Sequence, residues 1–216
     1  MNRRLSLWLL SAVIASVAVS SCRKNDATAD YGFPLVYIPQ ATVTGLDNSY
    51  PIPNGPLGQN STWSCRYDES SGVLEISLGV IRSGYLHDAK GFSVKLNVSP
   101  SVCEGKLADY ESKSVPAALL PLEYCSVPQT ITVDAGKNGG TCYVGVDLKK
   151  LSELSLYESG AYKILLLGLE ISDPTEYELA EENTSVVIVL DLNSAYWDDV
   201  AENLPESAIR DLFPIY

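Results

Sequence analysis

Leu74-Glu75-Ile76-Ser77-Leu78-Gly79-Val80 places an apolar residue at every second position, and Phe92-Ser93-Val94-Lys95-Leu96-Asn97-Val98 repeats the pattern. A period of two sends successive side chains to opposite faces of a strand, so one face enters a core and the other meets water. Working outward, Val36-Tyr37-Ile38-Pro39 is a short β-prone run stopped by proline, and Trp63, Cys65 and Tyr67 alternate with Ser64 and Arg66. Ile131 and Val133 lead into Asp134-Ala135-Gly136-Lys137-Asn138-Gly139-Gly140, which reads as a hairpin turn. Cys142, Val144 and Val146 then face the core, which predicts a buried Cys142. The runs from Tyr162 to Ile171 and from Val186 to Leu192 are apolar on nearly every residue and read as central strands covered on both sides. Turn clusters at Asn54-Gly55-Pro56, Ser70-Ser71-Gly72, Ser99-Pro100-Ser101, Pro128-Gln129 and Ser172-Asp173-Pro174 separate the strands. Roughly eight half-buried antiparallel strands joined by such turns predict an all-β, immunoglobulin-like two-sheet sandwich over residues 33–193.

The flanks differ in kind. Arg3 and Arg4 precede an uncharged apolar stretch from Leu5 to Val19, and Val19-Ser20-Ser21-Cys22 closes it with small residues before a cysteine. Charge, apolar core and small-residue cleavage site make a secretory signal over residues 1–21, too short to span a bilayer at about 20 residues. The cysteine at its end resembles the lipobox of bacterial lipoproteins, in which the thiol is acylated and becomes the new N-terminus. Residues 22–32 then read as a polar tether. At the other flank, Trp197, Val200, Ala201 and Leu204 fall at helical spacing, with Asn193 or Ser194 as cap. Pro205 opens a second helix carrying Ile209, Leu212 and Phe213. Residues 194–216 are therefore expected as a helical tail docked on the sandwich. A helical turn or two is also expected between Leu148 and Leu156.

Composition limits the partners. The chain holds 15 Lys+Arg and 27 Asp+Glu, and removing Arg3 and Arg4 leaves 13 against 27, or −14 for the mature chain. Such a surface repels nucleic acid and anionic lipid. After Cys22, four cysteines remain (Cys65, Cys103, Cys125 and Cys142), an even number that permits two disulfides in an oxidising compartment. Buried inert thiols are the preferred reading. None forms a C-x-x-C pair and His87 is the only histidine, so no metal site and no cofactor is expected.

Catalysis finds little support. His87, in Gly84-Tyr85-Leu86-His87-Asp88, lies in a turn between strands with no G-x-S-x-G around it. Glu181-Glu182 and Asp198-Asp199 suit a solvated acidic surface as well as they suit a glycosidase pair. Binding has better material. Aromatic rings offer flat apolar faces to sugar C–H groups and polar tips for hydrogen bonds. Tyr85 and His87 on their turn are the candidate ligand contacts, with Trp197 behind them.

Several segments carry a family resemblance: Val36-Tyr37-Ile38-Pro39-Gln40-Ala41, Tyr50-Pro51-Ile52-Pro53-Asn54-Gly55, Leu78-Gly79-Val80-Ile81-Arg82-Ser83-Gly84, Leu119-Leu120-Pro121-Leu122-Glu123-Tyr124 followed by Pro128 and the turn at Gly136, and Ile171-Ser172-Asp173-Pro174-Thr175-Glu176-Tyr177-Glu178-Leu179. In order, they resemble a family of Bacteroidetes surface lipoproteins, domain of unknown function 1735, over about residues 33–193. The family is similar to the N-terminal immunoglobulin-like modules of lipoproteins from polysaccharide-utilisation loci. It has no assigned catalytic residues to carry over. Members often continue into a second module that carries the chemistry, whereas here the sequence stops shortly after the sandwich. Arg23-Lys24-Asn25-Asp26 has only a weak resemblance to the acidic export signal of surface lipoproteins. The resemblance implies a non-enzymatic outer-membrane lipoprotein, held by its N-terminal lipid, that assists glycan capture or contacts an envelope protein at the cell surface. A periplasm-facing placement, an adhesion or fimbria-associated subunit, and a glycosidase are the alternatives.

Overall fold

The alternating stretch becomes β4 (Val73–Arg82), and the first sheet is built around it. The computed structural model describes residues 30–45, 47–52, 64–68, 70–152 and 164–191. The readings for the signal, Cys22, Trp63, Trp197 and the C-terminal tail lie outside the described residues. The first sheet runs β11 (Glu178–Leu179), β1 (Leu35–Tyr37), β4, β9 (Gly139–Asp147) and β7 (Cys125–Ser126), with β3 (Cys65–Asp68) beside the first half of β4. The second runs β2 (Ser49–Ile52), β12 (Ser185–Asp191), β10 (Ile164–Ser172), β5 (Phe92–Val98) and β8 (Thr130–Val133), with β6 (Ala117–Leu119) beside the start of β10. The fold is the expected all-β two-sheet sandwich.

Side-chain alternation does the packing. Leu74, Ile76, Leu78 and Val80 from one sheet and Val94, Leu96, Leu167, Leu169 and Ile188 from the other are buried in one shared core. Most pairings are antiparallel, but β1–β11, β10–β6 and β12–β2 are parallel and short, at or near the sheet flanks. Cys142 departs from expectation: it packs against the core yet is only half-buried. β7 covers β9 only at Gly145 and Val146, so β9 is the sheet edge where Cys142 sits.

The segment read as a hairpin turn is a crossover, since β8 pairs with β5 in one sheet and β9 with β4 in the other. Gly140 makes the step possible. A Cβ there would lie 2.4 Å from the carbonyl oxygen of Thr132, closer than any side chain tolerates.

β10 and β12 are covered on both faces, as their continuous apolar runs require. Their outward residues Ile164, Leu166, Val187 and Val189 form a second cluster with Cys103, against which Leu107, Tyr110 and Ala117 pack. The cover is helix α1 (Glu104–Ser112), entered through a 3-10 turn at Pro100–Cys103. It is absent from the sequence expectation. Helix α2 (Leu148–Ser152) matches the described part of the expected helical piece. All four cysteines are free thiols, with Cys65 and Cys103 buried.

Candidate ligand-contact site

β4 ends at Arg82, and the loop from Ser83 to Gly91 carries the chain into β5 of the other sheet. Tyr85 and His87 stand on this loop. The loop is tied down along its length. Tyr31 and Tyr85 exchange backbone hydrogen bonds of 3.0 and 2.8 Å, and the His87 amide donates to Asp30 Oδ1 at 2.6 Å. Gly136 N donates to the Ala89 carbonyl at 2.9 Å, and Lys90 N donates to the Tyr177 hydroxyl at 2.8 Å. The Tyr177 ring meets Phe92 edge-on, at 5.5 Å between centroids. Residues Asp30 to Gly32, counted with the tether in the sequence, are thus paired to the domain.

The pairing of Tyr31 with Tyr85 needs glycine. Gly84 has φ +71°, and a Cβ on it would lie 3.0 Å from the Tyr31 carbonyl oxygen. With the backbones this close, the two rings stack at 5.3 Å between centroids and 14° between planes. Tyr31 is 67% exposed, Tyr85 37% and Phe33 82%. Three aromatic side chains therefore stand at one end of the sandwich on hydrogen-bonded backbone. Large apolar groups displayed on a fixed scaffold mark contact surfaces more often than single scattered ones do. His87 is exposed beside them, as read from the sequence. Trp197 lies outside the described residues, so the structure unites Tyr85 and His87 only.

Arg82 underpins the loop. It is 2% exposed; Nη1 donates to the carbonyls of Ser83 and Gly84 at 3.1 and 3.2 Å, and Nη2 donates to Asn138 Oδ1 at 2.8 Å. Its guanidinium lies 5.3 Å from the centre of the Tyr177 ring. One side chain thereby joins the β4–β5 loop, the crossover at Asn138 and the segment before β11. Sequence reading missed Tyr31, Phe33 and Arg82. For Arg82 the signal was present, because position 82 continues the buried series 74, 76, 78, 80.

Reactive groups are sparse among the described residues. Ser83, the serine nearest His87 in sequence, donates from Oγ to the Phe33 carbonyl at 2.6 Å and accepts from Leu35 N at 3.1 Å. Burial pushes the Cys65 thiol up to about 12 and those of Cys103, Cys125 and Cys142 up to about 11. Thiols so shifted are protonated near neutral pH and make poor nucleophiles. Among the described residues, no three His, Cys, Asp or Glu side chains gather where a metal ion would sit.

No family model matches the chain, and no curated protein matches it. Solved structures do resemble it. A candidate carbohydrate binding protein from Bacteroides ovatus is 12% identical with a TM-score of 0.48, over 73% of this chain and 37% of that one. A multidomain protein from the same organism that includes DUF1735 is 13% identical with a TM-score of 0.41, over 68% and 40%. An auxiliary nutrient binding protein from Bacteroides thetaiotaomicron is 16% identical with a TM-score of 0.41, over 68% and 46%. The chain thus spans under half the length of each of these three. The domain of unknown function named by the sequence resemblance is present among them.

Proposed function

We propose that this protein is a lipid-anchored, non-catalytic sandwich of the bacterial outer membrane that assists glycan capture at the cell surface. Cys22 carries the lipid, and Tyr85 and His87 contact the sugar. Tyr85, exposed on its hydrogen-bonded loop with His87, carries this reading. Tyr85 presents a ring face and a phenol tip, its other face stacked on Tyr31, on a backbone held by the Arg82 hub, the combination that sugar recognition uses. Carbohydrate is also the ligand class named for one of the Bacteroides ovatus proteins above. The non-catalytic part is supported by the commitment of Ser83 Oγ to backbone partners and by the raised thiols.

The test is a polysaccharide panel against the mature chain with Cys22→Ser. Binding to at least one glycan is expected, with Tyr85→Ala weakening it about tenfold, the equivalent of about 1.4 kcal/mol for a lost aromatic contact. Unchanged affinity removes Tyr85 from the site, and sugar release by the wild type overturns the non-catalytic reading. Absence of any glycan binding, together with capture of an envelope protein, would transfer the proposal to protein contact.

A further inference from the structure

Nine residue steps separate Cys22 from Tyr31, and nine residues of fully extended chain reach about 30 Å. Tyr31 is fixed to Tyr85. A lipid on Cys22 therefore keeps the loop end within about 30 Å of the membrane. Strand directions agree. β1 starts at this end, with Val36 opposite Arg82, whereas β12 runs away from it and finishes with Asp191 opposite Ile164 at the far end.

On this near end Phe33 is 82% exposed and Tyr31 67%, and neither belongs to a core cluster. Phe33 is not on a loose arm. Its carbonyl accepts from Leu35 N at 3.0 Å and from Ser83 Oγ at 2.6 Å, so the ring is held outward by fixed backbone. The stack engages Tyr31 and Tyr85 and leaves Phe33 outside it.

We propose that Phe33 and Tyr31 seat the sandwich on the bilayer that holds the lipidated Cys22. Phe33 enters the apolar edge of the interfacial layer, and the Tyr31 phenol stays at headgroup level, where amphipathic rings concentrate. The surface fits a zwitterionic phospholipid leaflet. Asp30 and Asp88 are exposed near the rings and the mature chain carries −14 (13 minus 27), so an anionic leaflet would repel this end. The inference rests on lipidation of Cys22. It goes beyond the glycan reading by placing Tyr85 and His87 at membrane level, whatever sugar they take.

The experiment uses mature lipidated protein in phosphatidylethanolamine–phosphatidylcholine vesicles, with Phe33→Trp in one sample and Leu122→Trp in another. Leu122 is exposed at the far end, beside helix α2, whose Leu148 N donates to the Gly72 carbonyl at the start of β4. After subtraction of the native tryptophan emission, lipid brominated near the headgroup should quench the label at 33 several-fold more than the label at 122. Equal quenching overturns the proposal. A label at 33 that responds to soluble polysaccharide but not to brominated lipid assigns the face to sugar and overturns it too. An unacylated Cys22 in the purified protein, with no vesicle association, does the same. Phe33→Ser should leave glycan affinity intact, while Tyr85→Ala should weaken glycan affinity about tenfold and keep the lipid quenching at 33. The two readings therefore fail separately.

Discussion

Arg82 occupies a place where alternation demands a hydrophobe, and the structure gives its charge carbonyls, an amide oxygen and an aromatic face in place of a carboxylate. Arg82→Met retains the stem and removes the donors. It should destabilise the domain by about 1–3 kcal/mol, the usual cost of stranding buried acceptors, measured as a shift in the urea midpoint. Arg82→Lys should restore little, because a single ammonium cannot serve three carbonyl-type acceptors with the planar fork of a guanidinium. The thiols give a second residue-scale test. Cys65 is buried, with its thiol pushed up to about 12 by loss of solvation. Iodoacetamide at neutral pH should therefore leave it unmodified in the native protein and modify it in step with urea unfolding. Modification of the native fold at the rate of a free thiol would contradict that burial.

Among the elements, the strands were legible and helix α1 was not. Strand faces show in the sequence because each core residue of β4 and β5 is two positions from the next. The inward stripe is only Cys103 at the helix entry and the half-buried Leu107 and Tyr110 within α1, at offsets of four and three, set among Glu104, Gly105, Lys106 and Asp109. Three apolar residues in a polar stretch that contains a glycine do not outweigh a turn reading at Ser99-Pro100-Ser101. What makes the helix is tertiary: two strands with apolar outer faces need a cover. The crossover before β9 was misread for a related reason. A glycine-rich turn between two β-runs looks the same whether the strands pair or part, and only the close passage of Gly140 over Thr132 separates the cases. α1 is also fastened to the loop before β2 by Lys106 and Asp47, 2.7 Å apart. Lys106 and Thr44 hold the Asp47 carboxyl well below the usual carboxylate range. A depressed folded-state value contributes stability above the unfolded-state pKa, near 4, that is lost as the pH falls below it. The pair is partly exposed, so the contribution is about 0.2–1 kcal/mol. Asp47→Asn should remove that increment of acid sensitivity, which sets in below about pH 5 and continues below pH 3, read by thermal melts, and leave the rest of the profile intact.

At the scale of the molecule, both sheets donate to one core, so the domain should unfold in a single urea transition with tyrosine fluorescence and far-UV dichroism coincident. Two separated transitions would mean that the sheets hold independently. The candidate site was half legible at this scale. Tyr85 and His87 could be read from a turn, but Tyr31 and Phe33 belong to a segment without periodicity, and only the bridge to Tyr85 brings them to the same end. That bridge also sets the route of mechanical load. The chain enters β1 at the loop end, and β12 delivers it to the opposite end at Asp191. A pull between Asp30 and Asp191 runs along the strands, not across them. The hydrogen bonds of β1 with β4 and of β12 with β10 are then strained side by side in shear, and no single bond can open ahead of its neighbours. A sandwich threaded in this way resists extension between its two ends.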